Sequence, residues 1–103
     1  MTEPQASFLG AVLKAVVSTP NEGKDAALYQ REVVEVTRGW RRQFEEGAPL
    51  SADQKCAVLI GLSRIFEVKR VPRAEAQDRL REILSVHDPD GAVGRALPPE
   101  VRP

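Results

Sequence analysis

The chain has 103 residues, room for one domain and not for two. Apolar residues make up 42% of it, with Leu, Ile, Val and Phe alone about a quarter, above the roughly 20% below which chains stay disordered. Fifteen basic residues balance 15 acidic ones, which excludes an overall charge drawing the molecule to nucleic acid, an anionic membrane or a basic partner; any such contact has to be local.

The first predicted helix spans residues 5–18. Phe8, Leu9, Val12, Leu13, Val16 and Val17 recur at helical spacing, leaving Ser7, Gly10, Lys14 and Ser18 as a thin polar strip, the pattern of a helix covered on two sides. Thr19-Pro20-Asn21-Glu22-Gly23 ends it. The second helix, 24–46, has one apolar stripe: Ala26, Tyr29, Val33, Val36, Trp40 and Phe44. Asp25, Arg31, Glu32, Glu35, Arg38, Arg42 and Glu45 form its charged side, where Arg31 and Glu35 are neighbours one turn apart. Gly39 weakens it by roughly 1 kcal/mol in propensity and marks a place for close packing or a bend. The competing reading is a strand over residues 32–37, because Val33, Val34, Val36 and Thr37 are β-branched.

Gly47-Ala48-Pro49-Leu50 breaks the chain, and Ser51-Ala52-Asp53-Gln54 is a capping box that starts a third helix over 51–69. Cys56, Val58, Leu59, Ile60, Leu62, Ile65 and Phe66 wrap more than half of its circumference, as expected of a central helix. Pro72 opens a fourth helix, 72–87, with a narrower stripe of Ala76, Leu80, Ile83 and Leu84. Asp88-Pro89-Asp90-Gly91 is turn chemistry. Beyond it, large apolar residues are few and prolines frequent. The predicted fold is therefore all-α: a compact four-helix bundle-like domain over 1–88 with a flexible Pro-rich C-terminal tail over 89–103.

Residues suited to chemistry are scarce. His87, the lone histidine, falls in the last turn of a helix, where the dipole favours an imidazolium; a capping or core-rim role is the expectation. Cys56 sits in an apolar run and reads as a buried, inert thiol. One Cys and one His make no zinc site, His87-Asp88-Pro89-Asp90 lacks the later ligands of a calcium loop, and no Glu-x-x-His pair is present. The glycines are dispersed, so no phosphate-cradling loop forms, and Glu45 and Glu46, being adjacent, diverge by about 100°. No catalytic residue, metal or cofactor is expected.

Two arginine clusters remain. Arg38, Arg41 and Arg42 surround Trp40, and Arg64, Lys69, Arg70 and Arg73 bracket the turn between the third and fourth helices. The leading expectation is a non-enzymatic interaction or regulatory protein that self-associates or docks a larger protein through an apolar helix face, with Phe8, Leu9, Val12 and Val16 as interface residues. The alternative is a nucleic-acid-associated regulator in which Arg38, Arg41, Arg42, Lys69, Arg70 and Arg73 neutralise phosphates. Met1–Gln5 lacks the features of a secretory leader, and the apolar stretch from Phe8 to Val17 is far shorter than the ~20 residues a membrane span needs. With a single cysteine, these features point to a cytoplasmic protein without membrane contact.

Overall fold

The computed structural model describes residues 3–19, 21–23, 25–46 and 50–103, with side chains from Phe8 onward except at 43–46. The turn positions Pro20, Lys24 and 47–49, and the expectations placed on the side chains of Phe44, Glu45 and Glu46, lie outside the described residues. Five helices follow one another: α1 (Glu3–Ser18), α2 (Ala26–Glu46), α3 (Ala52–Lys69), α4 (Arg73–His87) and α5 (Ala92–Ala96). The first four match the predicted ones to within two residues at each end.

Local chemistry sets several boundaries. Ser51 and Gln54 form the expected capping box, the Gln54 amide donating to Ser51 Oγ (3.1 Å) and the Ser51 amide to Gln54 Oε1 (2.8 Å). At the other end of α3, Arg70 adopts a left-handed conformation (φ 59°), and the Arg70 and Val71 amides donate back to the Glu67 and Phe66 carbonyls. Residues 32–37 are helical, not a strand. Val33 and Val36 pack against the core, and Thr37 Oγ1 donates to the Val33 carbonyl (2.6 Å), so tertiary packing outweighs the rotamer cost of the β-branched run.

Helix α3 is the axis of the fold and touches each of the other four helices. Val58, Leu59, Leu62, Ile65 and Phe66 are buried around it. Directions follow from specific neighbours. Gly61 faces Val36 and Trp40 while the Glu22 amide donates to the Lys69 carbonyl (2.9 Å), so α2 runs antiparallel to α3. Leu9 and Leu13 share a groove with Thr37, Trp40 and Arg41, and the Phe8 ring meets the His87 ring edge-on at 5.7 Å, so α1 is antiparallel to both α2 and α4. The result is an up-down-up-down bundle.

The C-terminal segment departs from expectation. Residues 89–103 do not form a free tail: α5 packs on α3, and Val93 and Leu97 are as buried as the central core. Val93 and Leu97 lie four apart on and just after α5, and Val101, beyond the helix, also packs against the core. Asp88 fixes the start, its carboxylate accepting the Val93 (3.0 Å) and Gly94 (2.9 Å) amides, and Arg102 donates to the Leu97 carbonyl (2.8 Å) near the end. A radius of gyration of 13.1 Å matches a folded chain of this length with its terminus gathered in.

Gly61 and Gly39 have opposite surroundings. A Cβ at Gly61 would come within 2.6 Å of Val36 Cγ1, whereas nothing lies within 4 Å of one at Gly39, on the open side of an unbroken α2. Gly61→Ala is therefore expected to cost about 1–3 kcal/mol by forcing α2 and α3 apart, and Gly39→Ala to gain about 0.5–1 kcal/mol. Urea unfolding midpoints of the two variants check both signs.

Candidate functional site

The structure scatters the residues singled out from sequence. Phe8, Leu9, Val12 and Val16, expected at an interface, are all buried in the core, because α2, α3 and α4 cover two sides of α1. The apolar surplus of α3 is likewise enclosed. What α1 leaves outside is the adjoining strip: Leu13 is 47% exposed and Val17, one turn on, 83%.

The six basic residues of the nucleic-acid alternative do not make one surface. Lys69 is 2% exposed and belongs to the core. Its ammonium donates to the Val16 carbonyl and to Thr19 Oγ1 (2.8 Å), and it lies 5.9 Å from the centre of the Tyr29 ring. Arg70 and Arg73 are exposed near the α2 N-terminus, whereas Arg38, Arg41 and Arg42 lie toward its C-terminus. The stretch of α2 from the level of Tyr29 to that of Trp40 separates the clusters by roughly 16 Å along the helix axis. Arg42 is already partnered within the fold.

His87 and Cys56 stand in different surroundings. The Cys56 thiol is buried and its pKa raised, first by desolvation and then by Asp53, the opposite of what activates a nucleophile. His87 is half-buried against Phe8, with Lys55 Nζ 3.4 Å from its carbonyl oxygen. Burial first, and then the Lys55 ammonium, hold the imidazole below its ordinary range, so the helix dipole does not produce the imidazolium expected from position alone. Asp88 goes the other way. Burial pushes its carboxyl up, but the Gly94 and Val93 amides outweigh this and hold it below the usual carboxylate range. Among the described residues, no three His, Cys, Asp or Glu side chains converge on a point that would hold a metal ion, and no helix is long and apolar enough to cross a membrane.

One surface does combine features that the sequence kept apart. Leu9, Leu13, Thr37, Trp40 and Arg41 line an apolar groove of about 290 Å³ between α1 and α2. Thr37 and Arg41 also border a second depression, with Val34 and Arg38, on the outer side of α2. Val34 is 44% exposed. In the groove Trp40 and Leu9 are buried and Leu13 is exposed; Val34 belongs to the second depression, which shares Thr37 and Arg41 with the groove. In the sequence, Val34 stands outside the Tyr29–Val33–Val36–Trp40 stripe and Leu13 inside the apolar wrap of α1, so pattern alone did not pair them.

Protonation of His87 puts a charge beside Lys55 in a partly desolvated site, which gives the pH dependence its sign. Folding stability is expected to be level above the unfolded value of about 6.5 and to fall as pH drops from there through the depressed folded value, since the unfolded chain takes up the proton first. Asp88 contributes a separate loss in more acidic solution, as pH falls from its unfolded value of about 3.8 through its depressed folded value. Urea denaturation in a pH series checks this: His87→Gln should remove the upper step and leave the acidic one, and a stability curve already flat in the wild type between about pH 7 and about pH 5 would contradict it.

Comparison with protein-family models, with curated proteins and with solved structures finds no match to this chain.

Proposed function

We propose that this chain is a small, non-enzymatic interaction module that docks a protein partner on the face shared by α1 and α2. The observation that carries the reading is the exposure of Leu13 in a groove floored by Trp40, with Val17 one turn further along α1 and Val34 in the adjoining depression on α2 also exposed. Three large apolar side chains on two neighbouring helices exceed the scattered single ones that a monomer's surface tolerates without consequence. An apolar groove with a buried aromatic floor is also the usual seat of an anchor residue from a partner helix. The separated arginine clusters and the core position of Lys69 weigh against a phosphate-tracking surface built from the residues of the nucleic-acid alternative. Regulation of the partner through occupancy of this face, in the cytoplasm, is the corresponding role; a single buried thiol suits a reducing compartment.

Tagged protein retained on a column from nuclease-treated lysate of its source is the test, with Leu13→Glu and Val34→Glu in parallel. Both positions are exposed, so the variants are expected to fold, as circular dichroism would check. A protein captured in stoichiometric amount by the wild type and lost by both variants is expected. Capture abolished by nuclease, or unaffected by both substitutions, would reject the reading.

A further inference from the structure

We infer that the partner presents an acidic amphipathic helix, whose apolar side fills the groove over Trp40 and whose carboxylates meet Arg31, Arg38 and Arg41. The inference rests on the proposed docking role of the α1–α2 face and adds the chemistry of what docks there.

Successive helical residues turn by about 100°, so among the α2 residues whose side chains are described, those within about 60° of Val34 are Ala27, Gln30, Arg31, Thr37, Arg38 and Arg41. Three are arginines and, among the residues whose side chains are described, none is an acid; by position Glu45, one turn beyond Arg41, also falls in this sector. The α2 acids between these limits, Glu32 and Glu35, fall outside that sector. On α1, among the residues whose side chains are described, the one charge is Lys14, which lines the depression toward α4 and not this face. A chain with 15 basic and 15 acidic residues thus gathers three arginines on the side of α2 that exposes Val34. Among the described residues, the ion pairs Arg79–Glu75 and Arg81–Asp78 lie on α4 and do not involve Arg31, Arg38 or Arg41. Arginine at the rim of an apolar groove offers a planar, multi-donor group suited to carboxylates.

The same charges decide against other occupants. Two copies joined through this face about a two-fold axis would bring each arginine row against its own copy, which like-charge repulsion disfavours. A nucleic-acid backbone would take the arginines but leave Leu13, Val17 and Val34 uncovered in water. A helix is favoured over an extended strand because the fold offers the partner no sheet edge among the described residues, while α1 and α2 form a groove between two helices.

The test uses the full chain and two labelled helical peptides with leucines at i, i+4 and i+7, one with glutamates flanking the leucines and one with lysines. Binding is followed by anisotropy at low salt and by chemical shifts at millimolar peptide. The glutamate peptide is expected to bind at least roughly ten-fold tighter than the lysine peptide, with the preference lost in high salt and in an Arg38→Glu, Arg41→Glu double variant. Equal binding of the two peptides, or of neither at millimolar concentration, overturns the inference while the lysate experiment still decides the docking reading. A glutamate peptide bound unchanged by Leu13→Ser with Val34→Ser means that the groove is not its seat, which overturns both. Tighter binding of a short single-stranded oligonucleotide than of the glutamate peptide, or sedimentation as a dimer that Arg38→Glu breaks, overturns it in favour of nucleic acid or of a second copy.

Discussion

The buried ammonium of Lys69 is the constraint around which the rest of the bundle is arranged. A cation with 2% exposure has lost its water, and the described residues place no carboxylate in a salt bridge with it. Desolvation accordingly lowers its pKa. What holds it is the C-terminus of α1, where the Val16 carbonyl is one of four without an intrahelical partner and the helix dipole ends negative. Thr19 completes the arrangement: its hydroxyl donates to the Ala15 carbonyl (3.0 Å) and accepts from Lys69 Nζ (2.8 Å). The backbone of the same lysine accepts the Glu22 amide (2.9 Å), and its side chain reaches the Tyr29 ring. One residue at the end of α3 therefore ties down the end of α1, the following turn and the start of α2. Gly23 belongs to the same joint, since a Cβ there would run into the Val68 carbonyl.

This joint explains why the α1–α2 face is shaped as it is. With the C-terminus of α1 pinned to α3, the buried stripe of α1 is fixed as Phe8, Leu9, Val12, Ala15 and Val16, and the neighbouring Leu13 and Val17 are turned outward beside α2. At the far end, Gly61 lets α2 close on α3, and Trp40 settles over it with its ring 3.5 Å from where a Cβ would be. The two ends fix the roll of α1 and α2 and leave the groove between them open on one side. Asp88 performs a comparable task at the opposite pole, where its carboxylate caps α5 and folds the C-terminus across α3. That closure covers α3, so the exposed large apolar side chains lie on α1, α2 and, at Val86, α4 rather than on the central helix.

The parts of this fold that depend on neighbours in sequence were readable, and those that depend on neighbours in space were not. Ser51–Gln54 and the apolar wrap of α3 are local patterns, and both appear as expected. The β-branched run at 32–37 pulled toward strand, and only its packing against the core settles it as helix. Lys69 looked like one more surface cation beside Arg70 and Arg73, because nothing in its own segment shows that two acceptors at the end of α1 await it. The C-terminal helix was hidden by its brevity: five residues make little periodic signal, although Asp88 and the four-residue spacing of Val93, Leu97 and Val101 were in view. The candidate site was legible only in pieces. Arg38 and Arg41 stood out by charge, but their juxtaposition with Leu13 required knowing how α1 rolls against α2.

Native-state amide hydrogen exchange in Lys69→Met tests that dependence most directly, since methionine keeps most of the volume and removes the donors. The account predicts that protection falls in the last two turns of α1, through Thr19, and in the residues 21–23 joint, while the middle of α3 retains its protection relative to global unfolding. Protection of α1 and the joint indistinguishable from the wild type would contradict it, and would mean that apolar packing alone sets the position of α1.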